Sequence, residues 1–167
     1  MKNKKEQEIR EKKRLDKIMP HNLEAEEALI GSVFINNEGL YKIIDIVSKE
    51  DFYNPANKEI FGAIISLFNE RSPIDLVTIT EHLDSKGIMD EVGGPAYLSR
   101  VVNSVPTASH IVQYANIVSE KKILRDLIIA ANDISALAYQ EDEDIDVTLD
   151  SAEKMLFGIS QKTLRDN

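Results

Sequence analysis

The sequence predicts an all-α protein, a globular multi-helix bundle followed by a long antiparallel helical hairpin. Apolar residues recur at helical spacing from Pro20 to Lys162, and capping residues, prolines and glycines stand where such helices would begin and end. The segment Ile74–Val77 alternates like a strand, but a lone strand would have no partner to pair with. At 167 residues, 43% of them hydrophobic, the chain is long enough for one domain with a real core.

Residues 1–18 are expected to be a basic, flexible extension. The stretch is polar, and its apolar residues Ile9, Leu15 and Ile18 are widely spaced. Such a charge block is typical of a frayed helix that aids solubility, with a weak nucleic-acid-binding or partner-binding arm as the alternative. Residues 1–17 carry eight Lys and Arg against four Asp and Glu, a net charge of +4, which leaves −13 for the rest of a chain of net charge −9.

Residues 19–108 are expected to form the globular body. Its first helix has Asn22 as N-cap candidate and glutamates in its first turn, and Pro55 suits the first position of another helix. Gly87 ends the fourth helix, and a turn at Gly93-Gly94-Pro95 precedes the fifth. The predicted helices begin near Asn22, Asn37, Pro55, Thr78 or Thr80, and Ala96.

Residues 109–162 are expected to form the helical hairpin. A long helix runs from about Ser109 to Tyr139, an acidic loop at 141–144 ends it, and the last helix begins near Val147. At about 100° per residue, the apolar residues of the long helix cover roughly half its circumference, with Arg125 among the polar residues on the opposite side.

That apolar arc is wider than one antiparallel partner helix hides. One stripe is therefore expected to pack on the last helix and the other to contact a second chain, because monomers seldom expose contiguous apolar surface of this size. A larger single core that absorbs both stripes is the alternative.

No cluster of catalytic or metal-binding side chains stands out. The three histidines, His21, His82 and His110, lack the spacing of a metalloenzyme motif. The acids Glu24, Glu26 and Glu27 are explained by the dipole at the start of a helix. The acidic run 141–146 lacks the central glycine and closing glutamate of a calcium loop, and no Lys-Ser or Lys-Thr follows Gly93-Gly94 as in a phosphate loop.

Composition excludes or disfavours several classes of protein. The absence of cysteine excludes disulfides and cysteine-ligated zinc and fits a cytoplasmic protein. No apolar run approaches the roughly 20 residues that span a bilayer, and no secretory signal is evident at the amino terminus. The acidic body disfavours tight nucleic-acid binding, which needs a concentrated basic surface.

Asp51-Phe52-Tyr53 is expected to fix a corner between helices.

Several blocks in order carry a family resemblance. They are Pro20–Glu26 with Ile30-Gly31, Asp51–Tyr53 with Ile60-Phe61, Ile74–Thr78, Gly93–Leu98, Pro106–Ala108, Tyr114-Ala115 and Leu124-Arg125. Together they resemble the amino-terminal domain of the bacterial replicative DNA helicase, the hexameric DnaB family. The resemblance covers about residues 19–162, with the basic extension outside it, and Asn57 stands where relatives often have histidine.

The resemblance implies a non-catalytic domain for docking and oligomerisation. In the family, hairpins pair into dimers, and three dimers form a collar over the ring of ATPase domains of the hexamer. The collar recruits primase through the carboxy-terminal domain of primase, and in some bacteria a helicase loader. By the resemblance, residues 163–167 would begin the linker to the ATPase domain, which is absent from this chain. ATP and magnesium belong to that domain, so no cofactor is expected here, and direct nucleic-acid binding is expected to be weak or absent.

By the same resemblance, individual residues receive expected roles. The expected primase-docking residues are Tyr97, Ile128 and Ile134. The expected residues of the hairpin and dimer interface are Ile117, Leu124, Leu127, Ala131, Leu149 and Leu156. Two other functions remain open, a free-standing adaptor that uses this domain to bind helicase or primase, and a small enzyme whose carboxylates converge in one pocket.

Overall fold

Eight α-helices make up most of the computed structural model, which describes residues 2–15 and 18–165. No strand occurs among these residues, so the predicted all-α class is confirmed. The helices are α1 (Lys2–Leu15), α2 (Leu23–Ile35), α3 (Leu40–Ile43), α4 (Pro55–Asn69), α5 (Leu76–Ser85), α6 (Gly94–Val102), α7 (Ile111–Tyr139) and α8 (Ile145–Arg165). Short 3₁₀ turns at Asn37–Gly39 and Lys49–Asp51 precede α3 and α4.

Local capping explains where the helices of the body begin. The Asn22 side chain accepts a hydrogen bond from the Ala25 N–H at 2.9 Å, as predicted for the start of α2. The prediction for α5 was wrong, because neither Thr78 nor Thr80 is its N-cap. Asp75 caps the helix instead, and Thr78 completes a capping box by accepting the Asp75 N–H at 3.0 Å. The segment that resembled a strand therefore contains the helix start.

The body is built around α2, which is buried along most of its length. Eight of its 13 residues are buried, and α2 packs against α4, α6 and α7. A helix that is apolar on several faces belongs in the centre of a core. Gly31 permits the close approach of α6, since a Cβ there would lie 3.0 Å from the Val101 carbonyl oxygen. The largest side chains fully buried in this core include Leu29, Ile30, Leu40, Ile60, Phe61, Ile79, Leu83 and Leu98.

The long helix α7 belongs to both parts of the molecule. Its first turns place Ile111, Ala115 and Val118 in the core of the body, and its later turns pair with α8. The acidic stretch 141–144 forms the connection between the two helices, as predicted. Helix α8 continues through Arg165, and residues 166 and 167 of the predicted linker lie outside the described residues, as do Met1 and residues 16 and 17.

The predicted basic extension contains α1, whose side chains from Lys4 to Lys12 are all exposed. No helix in the described part of the chain is long and apolar enough to cross a membrane.

Candidate interaction surface at the base and flank of the hairpin

Arg125 anchors α7 at the base of the hairpin, where the helix leaves the body. Its side chain is only 7% exposed. One guanidinium nitrogen, Nη1, donates to the Pro20 carbonyl oxygen at 2.8 Å, and Nη2 donates to the Asp51 carbonyl oxygen at 2.6 Å. The helical-wheel prediction that Arg125 lies on the polar outer side was wrong. The planar, multi-donor guanidinium lets a charged residue be buried where backbone carbonyls surround it.

Two rings complete this anchor. The His21 and Tyr53 rings stack with centroids 4.2 Å apart, and the Arg125 guanidinium carbon lies 5.5 Å from the centroid of the Tyr53 ring. His21 Nδ1 lies 2.7 Å from the Met19 carbonyl oxygen. The short segment before α2 is therefore held against the base of the hairpin. Asp51-Phe52-Tyr53 fixes an interhelical corner, as the sequence predicted, with Phe52 buried against Phe61.

Glu26 holds the same corner from the side of α2. Its carboxylate, 2% exposed, accepts hydrogen bonds from the Tyr53 N–H at 2.9 Å, the Asn54 N–H at 3.2 Å and the Asn57 amide at 3.2 Å. These donors lie at the start of α4, where the helix dipole favours a negative charge. The explanation from the dipole of its own helix was thus incomplete, because Glu26 acts on the next long helix.

Tyr97 belongs to a second polar network, which joins α2, α4 and α6. Its hydroxyl donates to Asn57 Oδ1 at 2.6 Å and lies 3.4 Å from the Glu27 carboxylate. Arg100 forms a two-pronged ion pair with Glu27, at 2.9 and 3.1 Å, and its guanidinium lies 5.0 Å from the centroid of the Tyr97 ring. Burial, followed by the charge of Glu27, raises the pKa of Tyr97 from 10.0 to about 12.

The raised pKa of Tyr97 predicts that the protein loses stability at alkaline pH. Because the folded state holds the Tyr97 proton more tightly than the unfolded state, the contribution is fully present below pH 10.0 and is lost as the pH rises through about 12. We expect the difference in unfolding free energy between wild type and Tyr97→Phe to fall across this window, as measured by urea denaturation at several pH values. A constant difference would contradict the assignment, and absorbance titration of both proteins provides the control.

The two hairpin helices meet along a narrow seam. Beyond Arg125, the least exposed apolar residues of α7 are Ala130, Ile134 and Leu137, which recur at the spacing of one helix face. On α8 the corresponding half-buried residues are Ala152, Met155 and Ile159. The seam leaves much apolar surface on both helices in solvent.

One such surface lies on one side of the hairpin. At about 100° per residue, Leu124, Leu127 and Ala131 lie about 60–120° around α7 from Ala130. Leu149 and Leu156 lie a comparable angle from the seam of α8, on the same side because the helices are antiparallel. We call the following residues the hairpin flank: Leu124 (43% exposed), Leu127 (40%), Ala131 (exposed), Leu149 (54%) and Leu156 (47%).

The structure separates the remaining predicted residues. Ile117 is partly buried against the core of the body and lies outside the flank. Ile134 lies in the seam, whereas Ile128 is 39% exposed and lies about 160° around α7 from Ala130, on the face turned away from α8. Tyr97 lies in the body, where its hydroxyl contacts side chains of α2 and α4. Sequence reasoning did not identify Glu26 and Arg125 as anchors, although a charged residue inside each apolar helix pattern was a signal for both.

No group of three His, Cys, Asp or Glu side chains among the described residues could hold a metal ion. The polar side chains described above bind one another or the backbone. Their arrangement fixes the helices of the body and the base of the hairpin against one another.

Comparisons with known proteins agree with this architecture. The chain is 39% identical over 147 residues to the replicative DNA helicase DnaB of Geobacillus stearothermophilus, a match covering 88% of this chain and 32% of that protein. The chain thus spans about a third of the length of this relative. The crystal structure of the N-terminal domain of DnaB helicase from Mycobacterium tuberculosis matches with a TM-score of 0.79 and 29% identity, over 84% of this chain and 99% of that one.

A second solved structure, of a DnaB-like replicative helicase and its interactions with primase, shares the fold with a TM-score of 0.69 at 22% identity. It covers 83% of this chain and 31% of that one. The family model for the DnaB-like helicase N terminal domain matches residues 18–120. On this match and the fold described above, the chain belongs to the family of DnaB-like helicase N-terminal domains.

Proposed function

We propose that this chain is the non-catalytic oligomerisation and primase-docking domain of a replicative DNA helicase that acts at the replication fork. The observation that carries the proposal is the hairpin flank, an apolar surface on a hairpin whose base is anchored to the body by Arg125. An exposed surface of this kind marks a site of protein association.

Self-association is the first part of the proposal. The flank combines bulky leucines with the small Ala131, which permits close helix packing, and it is contributed by both helices of the hairpin. Two copies can bury it through a two-fold axis, with the same flank used on both sides. Such an isologous contact forms dimers, and three dimers would complete the hexameric collar known for the family.

Primase docking is the second part. The related DnaB-like replicative helicase has been solved with attention to its interactions with primase, and the fold of this chain is the same. We propose that the carboxy-terminal domain of primase binds surface left open by the dimer, with Ile128 as a contact and Ile134 supporting the hairpin beneath it. Tyr97 would contribute from the body, and a helicase loader would be a further partner.

We propose that the catalytic chemistry of the parent protein takes place outside this domain. Since this chain corresponds to about a third of the helicase of Geobacillus stearothermophilus, we propose that ATP and Mg²⁺ act in an ATPase domain of the parent protein. The domain described here would assemble the hexamer and recruit primase. Binding of a partner would change the geometry of the collar and thereby affect the ATPase domain.

Charge placed on the flank is expected to abolish self-association. Leu127→Asp introduces a carboxylate that would be desolvated in the interface, and we expect at least about a hundredfold weaker dimerisation. The measurement is mass by light scattering across micromolar concentrations. Asn132→Asp is the matched control, since it adds the same charge at an exposed position of α7 about 140° from Leu127 around the helix. A monomeric wild type would sink this part of the proposal.

Calorimetric titration with the carboxy-terminal domain of primase tests docking. We expect saturable heat with wild type and at least about tenfold weaker binding with Ile128→Asp, because an apolar contact becomes a desolvated charge. Val77→Asp, at a residue of α5 that is 74% exposed, is the control and is expected to bind like wild type. No heat at high concentration, with both partners folded, would count decisively against docking.

A further inference from the structure

The tip of the hairpin carries apolar side chains that the seam does not cover. Tyr139 at the end of α7 is 84% exposed, and Ile145 and Val147 at the start of α8 are 67% and 52% exposed. Acidic residues surround them, namely Glu141, Asp142, Glu143, Asp144 and Asp146. We call this surface, residues 139–147, the hairpin tip. A basic segment with an apolar residue would complement it in charge and in polarity.

Helix α1 of this chain has that character. Residues 2–15 carry seven Lys and Arg against three Glu, a net charge of +4. The described side chains from Lys4 to Lys12 are exposed, among them Ile9 at 55%. The family model begins only at residue 18, so α1 lies outside the part shared with the family.

We propose that α1 of one copy docks on the hairpin tip of a second copy, as an additional contact in the assembly formed through the hairpin flank. This inference rests on the self-association proposed above. A second copy is the occupant that the observations favour, because α1 is exposed along its described length in the single chain. The same chain supplies both the basic helix and the acidic surface, in equal numbers in any assembly.

The geometry at the base of the hairpin supports docking of α1 on a second copy. Arg125 binds the Pro20 carbonyl oxygen, which holds Pro20, five residues after the last residue of α1, beside the base of the hairpin. When two hairpins pair antiparallel about a two-fold axis, the tip of one lies beside the base of the other, and therefore near the Pro20 that follows its α1.

The contact should depend on salt far more than the flank does. Exposed ion pairs are screened within a Debye length of about 10 Å at 0.1 M salt, whereas burial of leucines is not weakened by moderate salt. Removal of α1 should therefore weaken assembly at low salt and change little at high salt. This difference separates the tip contact from the flank contact.

A charge swap tests the pairing. The α1 variant is Lys4→Glu, Lys5→Glu and Lys12→Glu, and the tip variant is Glu141→Lys, Asp142→Lys and Glu143→Lys, which spares Asp144 because its carboxylate accepts the Asp146 N–H at 2.8 Å. By sedimentation velocity in 50 mM salt, we expect either variant to dimerise about tenfold or more weakly than wild type, and the two sets combined in one chain to restore most of the loss. In 500 mM salt all four proteins should agree.

Cross-linking identifies which chains touch. Because the sequence contains no cysteine, single thiols can be introduced without background. A Lys5→Cys chain mixed with an Asp142→Cys chain should form disulfide-linked dimers under mild oxidation, and at low protein concentration faster than Lys5→Cys mixed with Asp84→Cys, an exposed position in the body. The double variant with both thiols in one chain shows whether the bond forms within or between chains.

The possible outcomes separate this inference from the proposed self-association. If wild type is monomeric at all concentrations, the proposed self-association fails and this inference fails with it. If wild type forms dimers that the α1 and tip variants match in affinity at low salt, only this inference is overturned. If the double variant forms its disulfide within one chain, α1 docks on its own hairpin and exchange between copies is wrong. Salt-dependent loss, rescue by the swap and cross-links between chains would support the inference together.

Discussion

Glu26→Ala is expected to lower the free energy of unfolding by about 3 kcal/mol, because it removes the buried carboxylate that accepts hydrogen bonds from three donors. The donors are the backbone N–H groups of Tyr53 and Asn54 and the side-chain amide of Asn57. Water cannot readily replace the carboxylate, since Glu26 is 2% exposed. The corner between α2 and α4 should loosen, and urea denaturation followed by circular dichroism measures the loss.

Glu24→Ala is the matched control for this prediction. Glu24 lies in the same first turn of α2 but is exposed, so its removal should cost only about 0.5 kcal/mol through the helix dipole. Glu26→Gln should fall between the two, because its amide oxygen keeps part of the acceptor capacity. Equal stability of Glu26→Ala and Glu24→Ala would show that the buried carboxylate is not an anchor.

Arg125→Met is expected to cost about 2–4 kcal/mol in unfolding free energy, because the carbonyl oxygens of Pro20 and Asp51 lose the charged donor of a buried side chain. Methionine keeps most of the side-chain volume, so the loss reports on the hydrogen bonds to Pro20 and Asp51 and on the contact with the Tyr53 ring. The segment before α2 should also come free of the hairpin base, and amide hydrogen exchange should accelerate at Ala25 and Glu26, whose N–H groups donate to the side chain and the carbonyl oxygen of Asn22.

Lys122→Met controls for the loss of a charge from the same helix. Lys122 forms an ion pair with Asp126 at 2.8 Å, a contact one helical turn apart that is worth about 0.3–0.5 kcal/mol. If Arg125→Met were no more destabilising than Lys122→Met, the base of the hairpin would not depend on the buried guanidinium. The same result would also mean that Arg125 does not hold Pro20, and the α1 that precedes it, beside the base of the hairpin.

Much of the fold could be predicted because its signals are local. Helix starts at Asn22 and Pro55 follow from capping and from the fixed φ of proline. The acidic break after Tyr139 and the helix after it follow from a change of composition within a few residues. The start of α5 was misplaced because a β-branched run outweighed the capping box formed by Asp75 and Thr78.

The polar anchors could not be predicted in the same way. A helical wheel places Arg125 opposite the apolar arc, but the wheel does not show that the Pro20 and Asp51 carbonyls, 105 and 74 residues away in sequence, meet that face. Likewise the first turn of α2 explains an acid at Glu26 without revealing that the start of α4 lies against it. Glu27 and Arg100, 73 residues apart, are a third pair of this kind.

The sequence by itself therefore determined the helical class, the order of the helices, the apolar surplus of α7 and the resemblance to the DnaB family. These features depend on periodicity and on short motifs, which each segment carries on its own. Only the tertiary structure decided which stripe of the hairpin stays exposed, that Ile117 and Ile134 are partly covered while Leu127 and Leu156 are open, and which charges are buried as anchors. Those outcomes depend on contacts between residues far apart in sequence, and such contacts exist only once the helices have packed.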